Sequence, residues 1–296
     1  MYKTHFGLHE LPFGITPDTS FSFACSNYQE ALNTLLIAAN NGEGFIKITG
    51  EVGTGKTLLC RKFLATLDSD FVTAYIPNPY LEPRTLMLAL AEELEIPLDK
   101  DVDQHQLLKS ITHRLLELAG AGKRVLLCLD EAQAMPLESL EALRLLTNLE
   151  TEKRKLLQIV LFGQPELNQK LQQDSIRQLS QRITFHYHLG ALPRDDFEFY
   201  ISHRLNVAGF TGSRLFSRGA VGMLYAASGG IPRLVNILAH KSLMLTYGEG
   251  KQQVSARHVK ASAKDTVAAK TPMWSRWWLG ALPLLIATSI GWAYFK

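Results

Sequence analysis

Residues 45–57 read FIKITGEVGTGKT and decide the fold. The first five residues, FIKIT, are mostly aromatic or β-branched and predict a buried strand. Gly50–Thr57 match the pattern G-x-x-x-x-G-K-T, and the run LLCRKFL that follows predicts a helix. Glycines in such a loop let backbone N–H groups surround phosphate oxygens, and the start of the helix adds a positive dipole. The segment therefore predicts a phosphate-binding loop.

The loop supplies the predicted contacts to a nucleoside triphosphate. We expect Lys56 to reach the β- and γ-phosphates and Thr57 to offer its hydroxyl to Mg²⁺, which prefers oxygen ligands. The other predicted nucleotide-binding residues are Gly50, Glu51, Val52, Gly53, Thr54, Gly55 and Leu58. A glycine turn that only joins a strand to a helix is the alternative, and the agreement of pattern and context disfavours it.

A second motif lies at Val125–Glu131, which reads VLLCLDE. Its apolar part predicts a strand, and ligands bind at the carboxyl ends of strands in open α/β sheets. We therefore expect Asp130 to orient Mg²⁺ and Glu131 to orient, or take a proton from, the water that attacks the γ-phosphate. An acidic pair after a strand also occurs as a solvated helix start, but the phosphate loop favours the catalytic interpretation.

The rest of the chain alternates apolar runs with segments of helical spacing. Strands are predicted at residues 45–49, 71–76, 125–129, 156–162 and 183–189, and helices between them at 58–67, 84–94, 104–118 and 137–149. This order predicts an α/β fold whose parallel sheet is flanked by helices. Further helices are predicted at 194–208, 218–227, 232–247 and 256–267, which indicates a small all-helical domain.

The C-terminal segment 277–295, WWLGALPLLIATSIGWAYF, contains no charged side chain and is long enough for a transmembrane helix. Aromatic residues at both of its ends suit the two membrane interfaces. Lysines 260, 264 and 270 and Arg276 precede it, whereas only Lys296 follows, so we expect the large N-terminal part to be cytoplasmic. Residues 269–276 are predicted to be a linker.

Composition narrows the class of protein. A formal net charge of +3 without a basic stripe disfavours a dedicated nucleic-acid binder. The three cysteines are too few and too scattered for a disulfide framework, and the N-terminus lacks the features of a secretory signal. These features fit a globular protein of a reducing compartment.

The motifs together resemble a known family. The phosphate loop, the strand ending in Asp130-Glu131, the run FGQPEL at 162–167 and GGIPR at 229–233 are similar to the AAA+ ATPases. Within them the chain resembles the ExeA, or general secretion pathway component A, family, including its MshM-like members in pilus biogenesis. The opening 40 residues are similar to that family's N-terminal segment. The resemblance implies a bacterial ATPase that uses ATP and Mg²⁺, with a P-loop core at 41–192 and a helical lid domain at 193–268.

The resemblance also implies further catalytic residues. Gln164 corresponds to the sensor residue that contacts the γ-phosphate or the attacking water. Arg182 corresponds to an arginine that enters a neighbouring subunit's site, with Arg177 as the substitute candidate. Arg233, in the first turn of a predicted helix, would contact phosphate from the helical domain. For each arginine the alternative is an ordinary surface side chain.

The expected function is that of a single-pass protein of the bacterial inner membrane with its ATPase domain in the cytoplasm. The resemblance implies a homo-oligomer that works with inner-membrane proteins of type IV pilus biogenesis or type II secretion. Secretion-type members usually carry a periplasmic cell-wall-binding domain after the span, and this sequence stops at Lys296, which favours pilus biogenesis. The alternatives are a DNA-associated ATPase of the transposition type and a nucleotide-switched scaffold with little turnover.

Overall fold

The computed structural model describes residues 2–99, 102–150 and 155–270. Its five-stranded sheet is parallel throughout, with the strand order β2-β3-β4-β1-β5. The strands are β1 (Phe45–Thr49), β2 (Phe71–Ile76), β3 (Arg124–Leu129), β4 (Leu157–Gly163) and β5 (Ile183–His188). The predicted α/β fold with a parallel sheet is therefore confirmed, and each strand lies within one residue of its predicted bounds.

Burial explains why these runs form strands. All seven residues of β4 are buried, and β1 is buried except at its half-buried Lys47. Strands covered by helices on both faces carry apolar side chains at successive positions rather than at alternate ones. In β5, at the edge of the sheet, half-buried and exposed residues alternate instead.

Helices connect successive strands, as the crossovers of a parallel sheet require. The α/β part contains α2 to α8, and α9 begins at its end. Their bounds are α2 Ser26–Asn40, α3 Lys56–Thr66, α4 Pro83–Glu93, α5 Gln104–Gly120, α6 Leu137–Leu146, α7 Glu166–Leu171, α8 Arg177–Ser180 and α9 Arg194–Val207. Helix α2 was not predicted, although its buried residues recur at helical spacing.

The helix predicted at 137–149 is too long, because α6 ends at Leu146. The backbone N–H of Leu156 donates to the carbonyl of Leu149 at 3.0 Å, and Glu150 forms an antiparallel bridge with Lys155. The chain therefore turns back on itself where the apolar spacing would have continued the helix.

The chain divides into two compact units, residues 16–203 and a second unit that joins residues 1–15 to the chain from Arg204 onward. The second unit contains α1 (Tyr2–Phe6), α10 (Arg218–Ser228), α11 (Pro232–Gly248) and α12 (Ala256–Lys264). The N-terminal segment predicted at 1–40 is thus shared between the two units. Helix α12 ends three residues before its predicted end at 267, where Lys241 of α11 bonds to Asp265.

Long-range contacts tie the N-terminal residues into the helical unit. The Tyr2 hydroxyl lies 2.8 Å from His240 Nδ1, and the N–H of His9 donates to a backbone carbonyl at 2.8 Å. The rings of Phe13 and Phe216 meet edge to face with centroids 5.7 Å apart. Buried Tyr2, Phe6 and Phe13 therefore belong to the core of a helical unit whose other residues come late in the chain.

No helix within residues 2–99, 102–150 and 155–270 is long and apolar enough to cross a bilayer. The transmembrane helix predicted at 277–295 lies outside the described residues, as do residues 271–276 of the predicted linker.

Candidate nucleotide-binding and catalytic site

The phosphate loop, the acidic pair and Gln164 meet at the carboxyl ends of three adjacent strands, β3, β4 and β1, whereas the predicted site residues Arg182 and Arg233 lie before β5 and in α11. The phosphate loop follows β1, the acidic pair follows β3 and Gln164 follows β4. A hydrogen bond of 3.2 Å from the N–H of Gly50 to the carbonyl of Gly163 joins two of these strand ends. The parallel sheet thus brings together side chains that lie far apart in sequence, as the sequence analysis predicts.

The phosphate loop has a backbone that only glycine adopts without strain at two of its positions. Gly53 and Gly55 have φ angles of 82° and 102°, and Gly55 is the N-cap of α3. At Gly50 a Cβ atom would lie 2.5 Å from the carbonyl oxygen of Leu189, so a side chain there would displace the strand end. The loop therefore keeps its N–H groups close to the start of α3, as anion binding requires.

Lys56 is held inside the loop. Its Nζ donates to the carbonyls of Gly50 at 2.8 Å and Glu51 at 3.0 Å, and the residue is only 5% exposed. Burial lowers the pKa of Lys56, and the carboxylates of Glu131 and Asp130 act in the opposite direction. Phosphate oxygens are stronger acceptors for an ammonium group than carbonyls are, so this lysine is placed to exchange loop carbonyls for an anion.

Two oxygen ligands for a divalent cation lie side by side. Thr57 Oγ1 donates to Asp130 Oδ2 at 2.6 Å, and Asp130 is 2% exposed. Burial raises the pKa of Asp130, while the hydrogen bond from Thr57 opposes that shift. Because a cation would stabilise the buried carboxylate, and because both groups offer hard oxygen atoms, this pair fits Mg²⁺.

Glu131 is held by two glutamine amides. Gln133 Nε2 donates to Glu131 Oε2 at 2.6 Å, and Gln164 Nε2 donates to the same oxygen at 3.1 Å. The backbone N–H of Gln164 in turn donates to Gln133 Oε1 at 2.9 Å. This closed set of bonds fixes the carboxylate between the ends of β3 and β4, beside the Thr57–Asp130 pair.

The backbone at Glu131 is strained to allow this placement. Glu131 has φ 53° and ψ 37°, and among the described residues only Glu95 is another non-glycine with positive φ. Such a conformation costs about 1–3 kcal/mol and persists where the surroundings fix it. In this conformation Glu131 Oε2 accepts the hydrogen bond from Gln164 Nε2 at 3.1 Å.

Comparisons with known proteins agree with this geometry. A family model described as an AAA domain matches residues 39–171. General secretion pathway protein A of Aeromonas hydrophila is 41% identical over 299 residues, an alignment that covers 100% of this chain and 54% of that protein. The chain belongs to the ExeA-like AAA+ ATPases. It spans about half the length of this curated relative.

Solved structures share the fold of this ExeA-like ATPase. Cdc6p of Pyrobaculum aerophilum aligns with a TM-score of 0.66 at 19% identity, covering 84% of this chain and 70% of its own. ORC2 of Aeropyrum pernix aligns with a TM-score of 0.61 at 16% identity, covering 86% of this chain and 73% of its own. RuvB of Thermotoga maritima, a Holliday junction branch migration motor, aligns with a TM-score of 0.55 at 15% identity. The alignment covers 83% of this chain and 73% of RuvB. At such identities the likeness shows the fold alone.

Arg182 of the ExeA-like ATPase is engaged within its own chain. Its Nη1 donates to Thr147 Oγ1 at 3.1 Å and to the carbonyl of Arg144 at 3.5 Å, so the guanidinium covers the C-terminal end of α6. Arg177, at the start of α8, is exposed, and within the described part of the chain its side chain forms no hydrogen bond or ion pair. Arg177 can therefore reach a neighbouring subunit without losing a contact of its own chain, whereas Arg182 would have to give up its hydrogen bonds to the end of α6.

Arg233 lies exposed in the first turn of α11, in the helical unit, whereas the phosphate loop lies in the α/β unit. Its contact with phosphate stays a prediction.

Gln133 is a site residue of this ExeA-like ATPase that was not predicted from the sequence. It lies in the short 3-10 helix Ala132–Ala134, and the signal for it was its position two residues after Glu131 in the run DEAQ.

Proposed function

We propose that this ExeA-like ATPase hydrolyses ATP as an oligomer on the cytoplasmic side of the bacterial inner membrane. Its cycle supports assembly of a cell-envelope machine, either a type IV pilus or a type II secretion system. The observation that carries the ATPase part is the placement of Glu131, which Gln133 and Gln164 hold beside the Thr57–Asp130 pair. Hydrolysis, unlike binding alone, needs a group that positions the attacking water, and this carboxylate is placed to do so.

Each residue of the site has a distinct task in this proposal. Mg²⁺ bound with ATP would neutralise charge on the phosphoryl group that is transferred. Thr57 and Asp130 orient the cation, while Lys56 and the loop N–H groups bind the phosphates. Glu131 orients the attacking water or accepts its proton, and Gln164 supplies an amide next to that carboxylate. Phosphoryl transfer depends mainly on such positioning and electrostatic stabilisation.

The setting in the cell envelope rests on other support. The curated relative is named general secretion pathway protein A, and the aligned region covers the whole of this chain. The uncharged segment 277–295 and the lysines before it favour a single-pass anchor with the ATPase part in the cytoplasm. Inner-membrane proteins of the pilus or secretion machine are the partners that this location supplies.

The oligomer gives a testable role to the exposed Arg177. We expect Arg177→Ala to lower turnover by on the order of 1000-fold at high protein concentration, because an arginine supplied by a neighbouring subunit stabilises transition-state charge.

We expect Arg182→Ala to lower the free energy of unfolding by about 1–3 kcal/mol, because the end of α6 loses a charged donor. Turnover across protein concentration and thermal unfolding of the full chain measure the two effects.

A mixing experiment provides the control. Arg177→Ala subunits should restore turnover when mixed with Lys56→Ala subunits, because each supplies what the other lacks. If Arg182→Ala complements Lys56→Ala and Arg177→Ala keeps wild-type turnover, the in-trans arginine is Arg182 instead.

The envelope function is tested in a bacterium that lacks its own copy of the protein. Wild-type chain should restore surface pili, counted by electron microscopy, or export of a type II substrate into the medium, whereas Lys56→Ala should restore neither. Restoration by Lys56→Ala would show a scaffold that does not need turnover. Turnover stimulated by DNA, with salt-sensitive DNA binding, would support the transposition-type alternative.

A further inference from the structure

The modest net charge of the whole chain conceals a strong asymmetry. Residues 204–270 contain ten lysine and arginine residues and only two acidic residues, Glu249 and Asp265. Residues 16–203 contain 18 basic and 25 acidic residues. The helical unit is therefore basic in a chain whose α/β unit is acidic, which indicates an anionic partner for the helical unit.

Helix α12 concentrates this charge on one face. Arg257, Lys260 and Lys264 are exposed at positions i, i+3 and i+7, so they lie along the same side of the helix. Arg257 Nη2 bonds to Glu249 at 2.7 Å, whereas the side chains of Lys260 and Lys264 form no hydrogen bond or ion pair within the described residues. Two of the three charges are thus free to meet a ligand.

The opposite face of α12 fixes it on α11. The hydroxyls of Ser242 and Ser262 lie 3.1 Å apart, and Thr246 Oγ1 lies 2.8 Å from His258 Nδ1. All four residues are buried. The basic face is therefore presented by a helix that is held in place along its length, so little ordering of the backbone would be needed on binding.

An exposed apolar side chain borders this basic face. Leu245 of α11 is 42% exposed and lies one helical turn from Lys241 on one side and from Glu249 on the other. Lys241 bonds to Asp265, at the end of α12, and Glu249 bonds to Arg257, near its start, so Leu245 lies beside α12. We call Arg257, Lys260, Lys264 and Leu245 the α12 surface. Basic groups beside an apolar one suit the headgroup region of a bilayer, which offers phosphates and, just below, hydrocarbon.

We infer that the α12 surface binds the anionic phospholipid headgroups of the membrane in which the chain is proposed to be anchored. The inference rests on that anchor, since residues 265–276 lead from α12 into the predicted span at 277–295. A short tether keeps the surface at a high local concentration of lipid headgroups, so even weak contacts are populated. Binding would orient the helical unit against the membrane rather than leave it free on its linker.

Nucleic acid is the competing anionic ligand, and the observations favour lipid. The free charges of the α12 surface are two lysines of one short helix, a small number for the many phosphate contacts that hold a protein on DNA. The chain next to α12 leads towards the predicted membrane segment. An anionic bilayer is the ligand that this placement brings closest.

The test places a probe on the α12 surface of the full chain. The native cysteines Cys25, Cys60 and Cys128 are buried, so Ala261→Cys, on the exposed side of α12, offers a selective attachment site for a fluorophore. The labelled chain is reconstituted into bilayers of phosphatidylcholine alone or of phosphatidylcholine and phosphatidylglycerol in equal parts. A nitroxide on the lipid headgroups quenches the fluorophore only when the helix lies at the membrane.

We expect strong quenching in the mixed bilayer, weak quenching in phosphatidylcholine alone, and loss of the difference at high salt. Lys260→Gln/Lys264→Gln should lower the ratio of bound to unbound helix in the mixed bilayer about 30-fold, from the attraction of each charge to anionic lipid. Lys62→Gln/Lys109→Gln, which removes two exposed lysines from the α/β unit, is the matched control and should leave quenching unchanged.

Three outcomes would overturn the inference. Equal quenching in the two bilayers would show that the surface does not select anionic lipid. The proposed anchor is tested separately, because a chain that is anchored stays in neutral bilayers after alkaline washing. Unchanged quenching in Lys260→Gln/Lys264→Gln would exclude these lysines. Loss of duplex DNA binding in that variant, with lipid quenching intact, would assign the surface to nucleic acid. Release of the chain from neutral bilayers would refute the anchor separately.

Discussion

Replacing Lys56 by alanine is expected to lower kcat/KM for ATP by on the order of 1000-fold, the scale of removing one preorganised donor from a developing negative charge. The lysine is 5% exposed, and its Nζ lies against the loop carbonyls of Gly50 and Glu51. Alanine leaves the loop without its buried positive charge, so both phosphate binding and transition-state stabilisation are lost. Steady-state hydrolysis and equilibrium binding of ATP measure the two losses.

Lys47 provides the matched control for this substitution. It is a half-buried lysine within strand β1, burial lowers its pKa as it lowers that of Lys56, and its Nζ donates to Asn168 Oδ1 at 2.7 Å. Lys47→Ala should lower the melting temperature and leave kcat/KM within about twofold, since this lysine lies outside the site. Wild-type turnover in Lys56→Ala would show that the phosphate loop is not where ATP is hydrolysed.

The second large effect is expected at Glu131. Glu131→Gln should lower kcat by about 100-fold to 10,000-fold while ATP affinity stays near that of the wild type, because an amide cannot accept the proton of the attacking water. The carbonyl oxygen of the new glutamine can still accept from Gln133 and Gln164, so the side chain should keep its place. Single-turnover hydrolysis and ATP binding in the presence of Mg²⁺ separate the two quantities.

Gln133→Leu is the companion variant. This variant keeps the Glu131 carboxylate but removes the amide that donates to Glu131 Oε2 at 2.6 Å. We therefore expect a smaller fall in kcat than in Glu131→Gln, with KM unchanged. A rate in Glu131→Gln equal to a slow wild-type rate would mean that the protein scarcely turns over ATP. The nucleotide-switched scaffold would then be the better description.

Much of the fold follows from local sequence signals. Continuous apolar runs such as 125–129 and 156–162 mark buried strands, and polar or glycine residues at their ends set the bounds. Because the strands are parallel, the rule that ligands bind at their carboxyl ends also predicts that Thr57 lies near Asp130 and Gln164 near Glu131. Both contacts are present, at 2.6 and 3.1 Å.

Other features leave no such signal. A single polar residue in a short turn has no periodicity, so the hydrogen bonds of Gln133 emerge only from the structure. The placement of Arg182 against Thr147 depends on where α6 ends, which its leucine spacing does not reveal. Helix α2 is different, because its buried residues, such as Tyr28, Leu32 and Leu35, do recur at helical spacing, so the sequence carried a signal for it that the prediction missed. The joining of residues 1–15 to the C-terminal helices depends on tertiary contacts that a linear pattern cannot show.

The discontinuous helical unit has a consequence for synthesis on the ribosome. Its first fifteen residues emerge before the α/β unit, and their partners from Arg204 onward emerge after it. At translation rates of roughly 20 residues per second or slower, that interval lasts on the order of ten seconds or longer. During it Tyr2, Phe6 and Phe13 lack the helices that bury them. The nascent chain thus carries an exposed apolar N-terminus that a chaperone can occupy until the helices after Arg204 emerge.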